Sequence, residues 1–364
     1  LDLQVTTKTY PCTQCGAKLE FAPGQFALKC PYCGNQNQIE ADATEQAIAY
    51  EELDYQAYLS KQAGNEATIE QQTVKCTACG AQSQFGQHIV SDRCPFCAAP
   101  MIAANAYAKR QIQPKAIAPF DIKETDARKK FSDWVHGLWF APNALKRAYR
   151  AERGLKGIYT PYWTYDAESD TTYQGQRGDD YTVTETYVQN GQTQTRQVTK
   201  TDWSLASGRV QVSFDDVLVI ASKTLPKQYA DNLAPWNLNK LQAYRDDYVS
   251  GFTVEAYQVP LEPGFVDARD IMEDAIREAI CRDIGGDHQR ITAMQPHYSN
   301  ISFKHILLPI WLSSYKYGDK TYRFLVNGQT GEVQGERPYS YWKIAGAVLL
   351  AFLLLTIVIA MANK

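Results

Sequence analysis

The chain has 364 residues, 45% of them hydrophobic and 12% aromatic, a composition that excludes a disordered or fibrous protein and leaves room for small modules beside one substantial domain. With 37 Lys and Arg against 40 Asp and Glu, the formal charge of −3 excludes a polyanion binder by net charge. Any anion-binding surface has to be local.

The first pattern in the chain occurs twice. Cys12-Thr-Gln-Cys15-Gly16, thirteen residues, then Cys30-Pro-Tyr-Cys33-Gly34 is followed by Cys76-Thr-Ala-Cys79-Gly80, thirteen residues, then Cys94-Pro-Phe-Cys97. Gly16 and Gly80, Phe21 and Phe85, Pro31 and Pro95, and Tyr32 and Phe96 occupy equivalent places, so the module is duplicated. Two Cys-x-x-Cys knuckles joined by a short loop direct four thiolates at one tetrahedral centre, the demand of a closed structural zinc site. A glycine after Cys15, Cys33 and Cys79 suits a turn that needs positive φ; Cys97 is followed by Ala98 instead. So small a module cannot bury enough apolar surface to fold alone, and the metal chelate has to supply its stability. Two zinc ions are expected, held by Cys12, Cys15, Cys30 and Cys33, and by Cys76, Cys79, Cys94 and Cys97. Two such tetrathiolate sites, each at −2, would bring the chain to −7.

Other readings of the knuckles stay open on spacing alone. Iron in a rubredoxin-like site uses similar knuckles. Cys30-Pro31-Tyr32-Cys33 matches a glutaredoxin redox pair, but that chemistry needs the motif to open a helix after a strand, whereas here it closes a ribbon. Disulfides are disfavoured by eight of nine cysteines lying in paired knuckles and by the lack of a positively charged apolar leader after Leu1, which together point to a reducing compartment.

Residues 42 to 63, with Asp42, Glu45, Glu51, Glu52 and Asp54, predict an acidic helical spacer. Both ribbons are close to neutral, and His88 in the second is expected at the surface. Residues 98 to 120, with Pro100, Pro114 and Pro119, lead into a main domain. Ala127, Phe131, Trp134, Val135, Leu138 and Trp139 have helical spacing over 124 to 140, and Pro142 suits the first turn of a second helix running to Arg153. Arg128, Lys129, Lys130, Lys146, Arg147, Arg150, Arg153 and Lys156 make this pair the chain's basic cluster, read first as a solvated surface and second as an anionic lipid or nucleic-acid contact.

From Gly157 to Ser222 the pattern is beta: Ile158–Tyr165, then Tyr181–Gln189 returning through Asn190-Gly191 as Gln192–Trp203, then Arg209–Ile220. The paired acids Asp179-Asp180, Asp215-Asp216 and Asp246-Asp247 suit turns and strand ends. Short helices broken by Pro226 and Pro235 come next, then a helix predicted over Asp267–Asp283 with an aspartate N-cap and Gly285-Gly286 at its end, Cys281 packing at its margin. Tyr298–Val333 predicts an antiparallel meander around turns at Gly318-Asp319 and Asn327-Gly328. Ile344–Ala362 carries no charged residue and is long enough to span a bilayer, behind an interfacial belt of Tyr339, Tyr341, Trp342 and Lys343.

With these ribbons, Trp139-Phe-Ala-Pro-Asn-Ala-Leu145, Pro161-Tyr-Trp-Thr164, Phe303-Lys-His-Ile-Leu-Leu-Pro309 and Asn327-Gly-Gln-Thr-Gly-Glu-Val333, the chain resembles over nearly its whole length a bacterial family of membrane-anchored tandem zinc-ribbon proteins. These are known as TFIIB-type zinc ribbon-containing or primosomal protein N′ (replication restart) helicase-like proteins. No phosphate loop or strand-borne acidic box for magnesium supports a helicase. Ser313-Ser-Tyr-Lys316 fits Ser-x-x-Lys but lies in an alternating strand, and His288, His297 and His305 lack a metal-helix spacing, so no catalytic residue is assigned.

The expected fold is α+β: zinc ribbon 1 over 1–40, acidic helical spacer over 41–71, zinc ribbon 2 over 72–103, a mixed helix and antiparallel-sheet main domain over 104–338, and interfacial belt and transmembrane helix over 339–364. The expected function is a single-pass, tail-anchored scaffold or adaptor of the cell membrane with its bulk in the cytoplasm, presenting its ribbons to macromolecules. The resemblance implies flotillin-like (SPFH-domain) or phage-shock proteins as partners. The alternative is nucleic-acid binding linked to replication or restart.

Overall fold

The computed structural model describes residues 10–39, 47–61, 68–84, 91–102, 105–142, 154–189, 192–317 and 320–362. His88, the helix expected after Pro142, and the Asn190-Gly191 and Gly318-Asp319 turns lie outside them.

The fold is α+β, built on three very long strands. β11 (Lys156–Gln189, 34 residues) pairs antiparallel with β12 (Gln192–Ile220, 29 residues) on one side and with β15 (His288–Tyr317, 30 residues) on the other. At about 3.3 Å per residue β11 is about 110 Å long. The separate strands expected within 157–222 are thus two continuous ones. They bend at bulges, where the register shifts between Tyr165 and Ala167 toward β12 and between Asp166 and Glu168 and between Gln174 and Gly175 toward β15. Beyond Gly178, β11 and β12 continue as a two-stranded arm, and among the described residues no third strand joins them.

The second edge of β15 is shared by three short partners. β4 (Leu53–Asp54) pairs with it at Phe303 and Ser302, β10 (Ala116–Ile117) at Ile306 and Leu307, and β16 (Lys320–Asn327) over Ile310–Tyr317. β17 (Val333–Gly335) closes the meander, with Gly331 at positive φ in the connecting turn. The segment expected as a helical spacer is mixed: β4 leads into a helix at Tyr55–Lys61, and β5 (Thr68–Lys75) starts before the second ribbon.

Alternation along the strands divides the core between two faces. Tyr159, Leu307, Trp311, Phe324 and Val326 point toward the first ribbon, whose Leu19, Phe21 and Leu28 join them in one cluster. Ile158, Tyr162, Ile306, Leu308, Ile310 and Leu325 point the other way, into a cluster with Val74, Phe96 and Met101 of the second ribbon. The two ribbons therefore cover opposite faces of one sheet.

The long helix, Leu261–Ile284, starts after Pro260, six residues before the expected Asp267 cap. Pro263 is compatible with this because the first helical turn needs no N–H from it. The helix buries Ala268, Met272, Ile276, Ile280 and Ile284 at four-residue intervals, while Ile271 is exposed. Its start is pinned by Tyr165 Oη donating to the Leu261 carbonyl at 2.6 Å, and Gly264 admits this approach because an added Cβ would lie 2.5 Å from that hydroxyl.

The helix Glu124–Gly137 buries Ala127, Phe131 and Val135 against the first-ribbon face. It stops before Trp139, which projects into solvent although its spacing placed it on the apolar stripe. The chain's last described element is the helix Tyr341–Ala362, which contains an exposed 18-residue stretch of mean hydropathy 2.9 and is long and apolar enough to cross a membrane.

Candidate metal centres

The four knuckles repeat one backbone pattern. In each, the N–H of the residue after the second cysteine donates to the carbonyl of the first: Gly16 to Cys12 at 2.8 Å, Gly34 to Cys30 at 3.1 Å, Gly80 to Cys76 at 2.9 Å and Ala98 to Cys94 at 2.8 Å. The three glycines sit at φ of 73°, 77° and 78°, and Ala98 takes the same left-handed turn at φ 61° despite its Cβ. The first cysteine of each pair in turn donates its N–H to the residue beyond the turn, Ala17, Asn35, Ala81 or Ala99. Local sequence makes this turn, and the turn makes both thiols of a pair point the same way.

In each ribbon the four sulfurs converge within 4.8 Å of one another. Cys12 and Cys15 lie 3.5 Å from Cys33 and Cys30, and Cys76 and Cys79 lie 3.6 Å from Cys97 and Cys94. All eight are free thiols, far from the roughly 2.05 Å of a disulfide. Four sulfurs about 2.3 Å from a tetrahedral ion stand about 3.8 Å apart, so both groups fit a metal ion of zinc's size. The donor set also calls for a cation. Cys79 is lowered to about 5 by the hydrogen bond from Cys94, which is itself pushed up by Cys79, because thiols this close cannot all ionise without positive charge between them.

The equivalent knuckle tips differ. Tyr32 in the first ribbon is 83% exposed, while Phe96 in the second is 0% exposed inside the sheet-face core. The first ribbon docks through its other side: Phe21 N–H donates to the Ser250 carbonyl at 2.9 Å, Ser250 Oγ to the Leu19 carbonyl at 2.7 Å, and Phe21 meets Tyr248 edge-on at 5.5 Å. The second is held at its tip and flank, with Ala256 N–H donating to the Gln82 carbonyl at 2.9 Å and Lys156 Nζ to the Arg93 carbonyl at 3.1 Å.

A second group of ionisable residues lies where the long strands bulge. Lys304, buried at 3% exposure, reaches Glu52 at 2.8 Å and Asp216 at 2.9 Å. Asp166 accepts from the Asp216 N–H at 2.6 Å, and Ser302 donates to both Glu52 and Asp166. Carboxylate oxygens of Glu52, Asp166 and Asp215 lie within 4.8 Å of one another. Burial, and next Glu52 beside it, push Asp166 up to about 7. Lys304 already supplies the cluster's cation, so its plain role is to clasp the inter-ribbon segment to the sheet. The Asp215-Asp216 pair was visible in the chain; Glu52 and Lys304 were not, because only strand pairing brings them together.

Among the described residues the histidines do not form a site. His305 is buried, donates Nδ1–H to the Ile112 carbonyl at 2.9 Å when that nitrogen carries its proton, and is held neutral by burial, at about 4. His288 meets Asp180 at 3.1 Å. Of the basic cluster, Arg128 pairs with Glu124 at 2.5 Å, Lys156 lies 3.5 Å from Asp92, and Lys130 lies across Gly331. Lys146, Arg147, Arg150 and Arg153 lie outside the described residues.

No protein-family profile matches the chain, and no solved structure matches it. It is similar to the uncharacterized protein YdjG of Bacillus subtilis (strain 168), 25% identical over 346 residues that span 93% of this chain and 92% of that protein.

Proposed function

We propose that the protein is a membrane-anchored zinc adaptor in which the terminal helix lies in the bilayer, two zinc ions close the ribbons, and the first ribbon presents its Tyr32 knuckle to a protein partner. The observation that carries this reading is the contrast between Tyr32, open to solvent, and Phe96, buried at the equivalent place. One copy of the module is spent on the main domain's own core; the other keeps a rigid aromatic tip free, and aromatic anchors on rigid supports are what protein interfaces select. Bound zinc would supply the ribbons' fold, with Cys12, Cys15, Cys30 and Cys33 in one centre and Cys76, Cys79, Cys94 and Cys97 in the other. The thiolate chemistry favours a cytoplasmic location, and flotillin-like or phage-shock proteins are the partner classes that the resemblance suggests.

The test is a photoreactive phenylalanine at position 32 of the full-length chain in its own cells, with the same residue at 96 as control. A discrete protein adduct in the membrane fraction from position 32, and none from 96, is the expected result. An adduct to nucleic acid would favour the replication-linked reading instead, and the absence of any intermolecular adduct would remove the adaptor role.

A further inference from the structure

After Gly137 the chain makes a short tip whose construction is unusual for solvent. Leu138 and Ala141 are buried, yet Trp139 and Phe140 between them are 77% and 40% exposed. The two rings are held out by anchors on either side and are not at a frayed end. The start of the terminal helix is fastened to this same tip. Ser340 N–H donates to the Phe140 carbonyl at 2.8 Å, and Lys343 Nζ donates to the carbonyls of Trp139 at 3.2 Å and Ala141 at 2.8 Å.

The helix Tyr341–Ala362 has 22 residues, a rise of about 33 Å, against a hydrocarbon core about 30 Å thick. Its first turn therefore has to sit at the boundary between headgroups and acyl chains. Tyr339, Tyr341 and Trp342 are exposed there, and Arg337 lies over the Tyr339 ring at 5.3 Å. Hydrogen bonds to residues 340 and 343 put Trp139 and Phe140 at the same depth, where an aromatic ring with an apolar body and a polar edge is most favourably placed.

We propose that Trp139 and Phe140 form a second membrane-contacting element, inserted at the headgroup boundary of the bilayer that holds the terminal helix. This rests on the anchor reading. It adds that the main domain is clamped to the membrane at two points, fixing the sheet and the first ribbon in orientation instead of letting them swing on residues 336–340.

The experiment uses the full-length protein in phosphatidylcholine vesicles containing acyl-brominated lipid, which quenches tryptophan at the hydrocarbon boundary. Trp139→Phe and Trp342→Phe are each expected to remove roughly half of the bromolipid-quenchable emission, since both indoles lie at the interface. If Trp342→Phe removes that emission while Trp139→Phe leaves it unchanged and instead lowers the iodide-quenchable part, the second contact is wrong and the anchor stands. If the wild-type protein does not float with the vesicles and neither variant alters the quenching, the anchor fails and takes the contact with it.

Discussion

The two ribbons are copies of one module, yet equivalent aromatic rings at their second knuckles end in opposite environments. Tyr32 faces solvent and Phe96 faces the core. The difference does not arise within the module, since the same turns and sulfur spacings recur in both. It arises from which side of each ribbon the sheet accepts: the strand side of the first, through Leu19 and Phe21, and the knuckle tip of the second. Duplication supplied two equivalent four-cysteine groups, and docking gave them different surroundings.

The largest effect expected is from breaking a chelate. Cys15→Ser should release one of two zinc ions by elemental analysis and leave the other. Because apparent binding energies of such sites are on the order of 10 kcal/mol, the affected ribbon should unfold. Cys94→Ser should do the same for the second ion and should also lower the main domain's thermal midpoint, since it loosens the core around Phe96. Equal metal loss from both sites in either variant would contradict separate chelates.

Phe96→Ala should cost about 3 to 5 kcal/mol in denaturant unfolding, the usual result of emptying a buried aromatic site. Tyr32→Ala should stay within about 0.5 kcal/mol, as for an exposed residue away from special contacts. Similar values for the two would erase the distinction between the copies.

The segment joining the ribbons offers a sharper test. Lys304→Met leaves Glu52 and Asp216 without their cation and should destabilise by about 3 kcal/mol, as the loss of one partner from a buried pair does. Asp166 is raised to about 7 when folded, so the folded state holds a proton that the unfolded chain has lost above its ordinary carboxylate value of about 4. Its contribution to stability is present below that value and is lost as pH rises through about 7. Burial works against Glu52, but hydrogen bonds from Asp166 and Lys304 leave it lowered, so its contribution has the opposite sign and is lost toward acid. Asp166→Asn should therefore reduce the fall in thermal midpoint between about pH 4 and 7; an unaltered slope would remove Asp166 as its source.

Effects of about 1 kcal/mol are expected at the knuckle turns. An added Cβ at Gly80 meets nothing within 4 Å, so Gly80→Ala should cost only the backbone penalty of φ 78°, about 1 kcal/mol. Ala98→Gly should recover a similar amount, about 1 kcal/mol, in the second ribbon's other knuckle. A stabilising Gly80→Ala would show that the turn is not held by its left-handed residue.

Much of the fold could be read along the chain because its signals are local. Knuckle spacing, the glycines at positive φ, the apolar terminal stretch and the alternation of 298–333 each reside within a few neighbouring residues. Element ends were harder: the long helix begins at Leu261 because prolines are tolerated in a first turn, and Trp139 leaves the apolar stripe because the helix stops at Gly137. The continuity of β11 through residues 166–180 was hidden by its polar alternation, which a helix covering one face and water on the other explain only after assembly.

By itself the sequence determined the two four-cysteine groups, since four cysteines on two tight turns need only a ribbon's own backbone to converge. It also determined a terminal helix long and apolar enough to cross a membrane, because the nineteen residues from Ile344 to Ala362 carry no charge. Only the tertiary structure decided that the ribbons lie on opposite faces of one sheet, that Lys304 is enclosed by acids from distant segments, and that Tyr32 and Trp139 are left outside. These depend on contacts between residues far apart in the chain, where a side chain's environment is set by which strand edge and which sheet face it meets, and no local spacing records that.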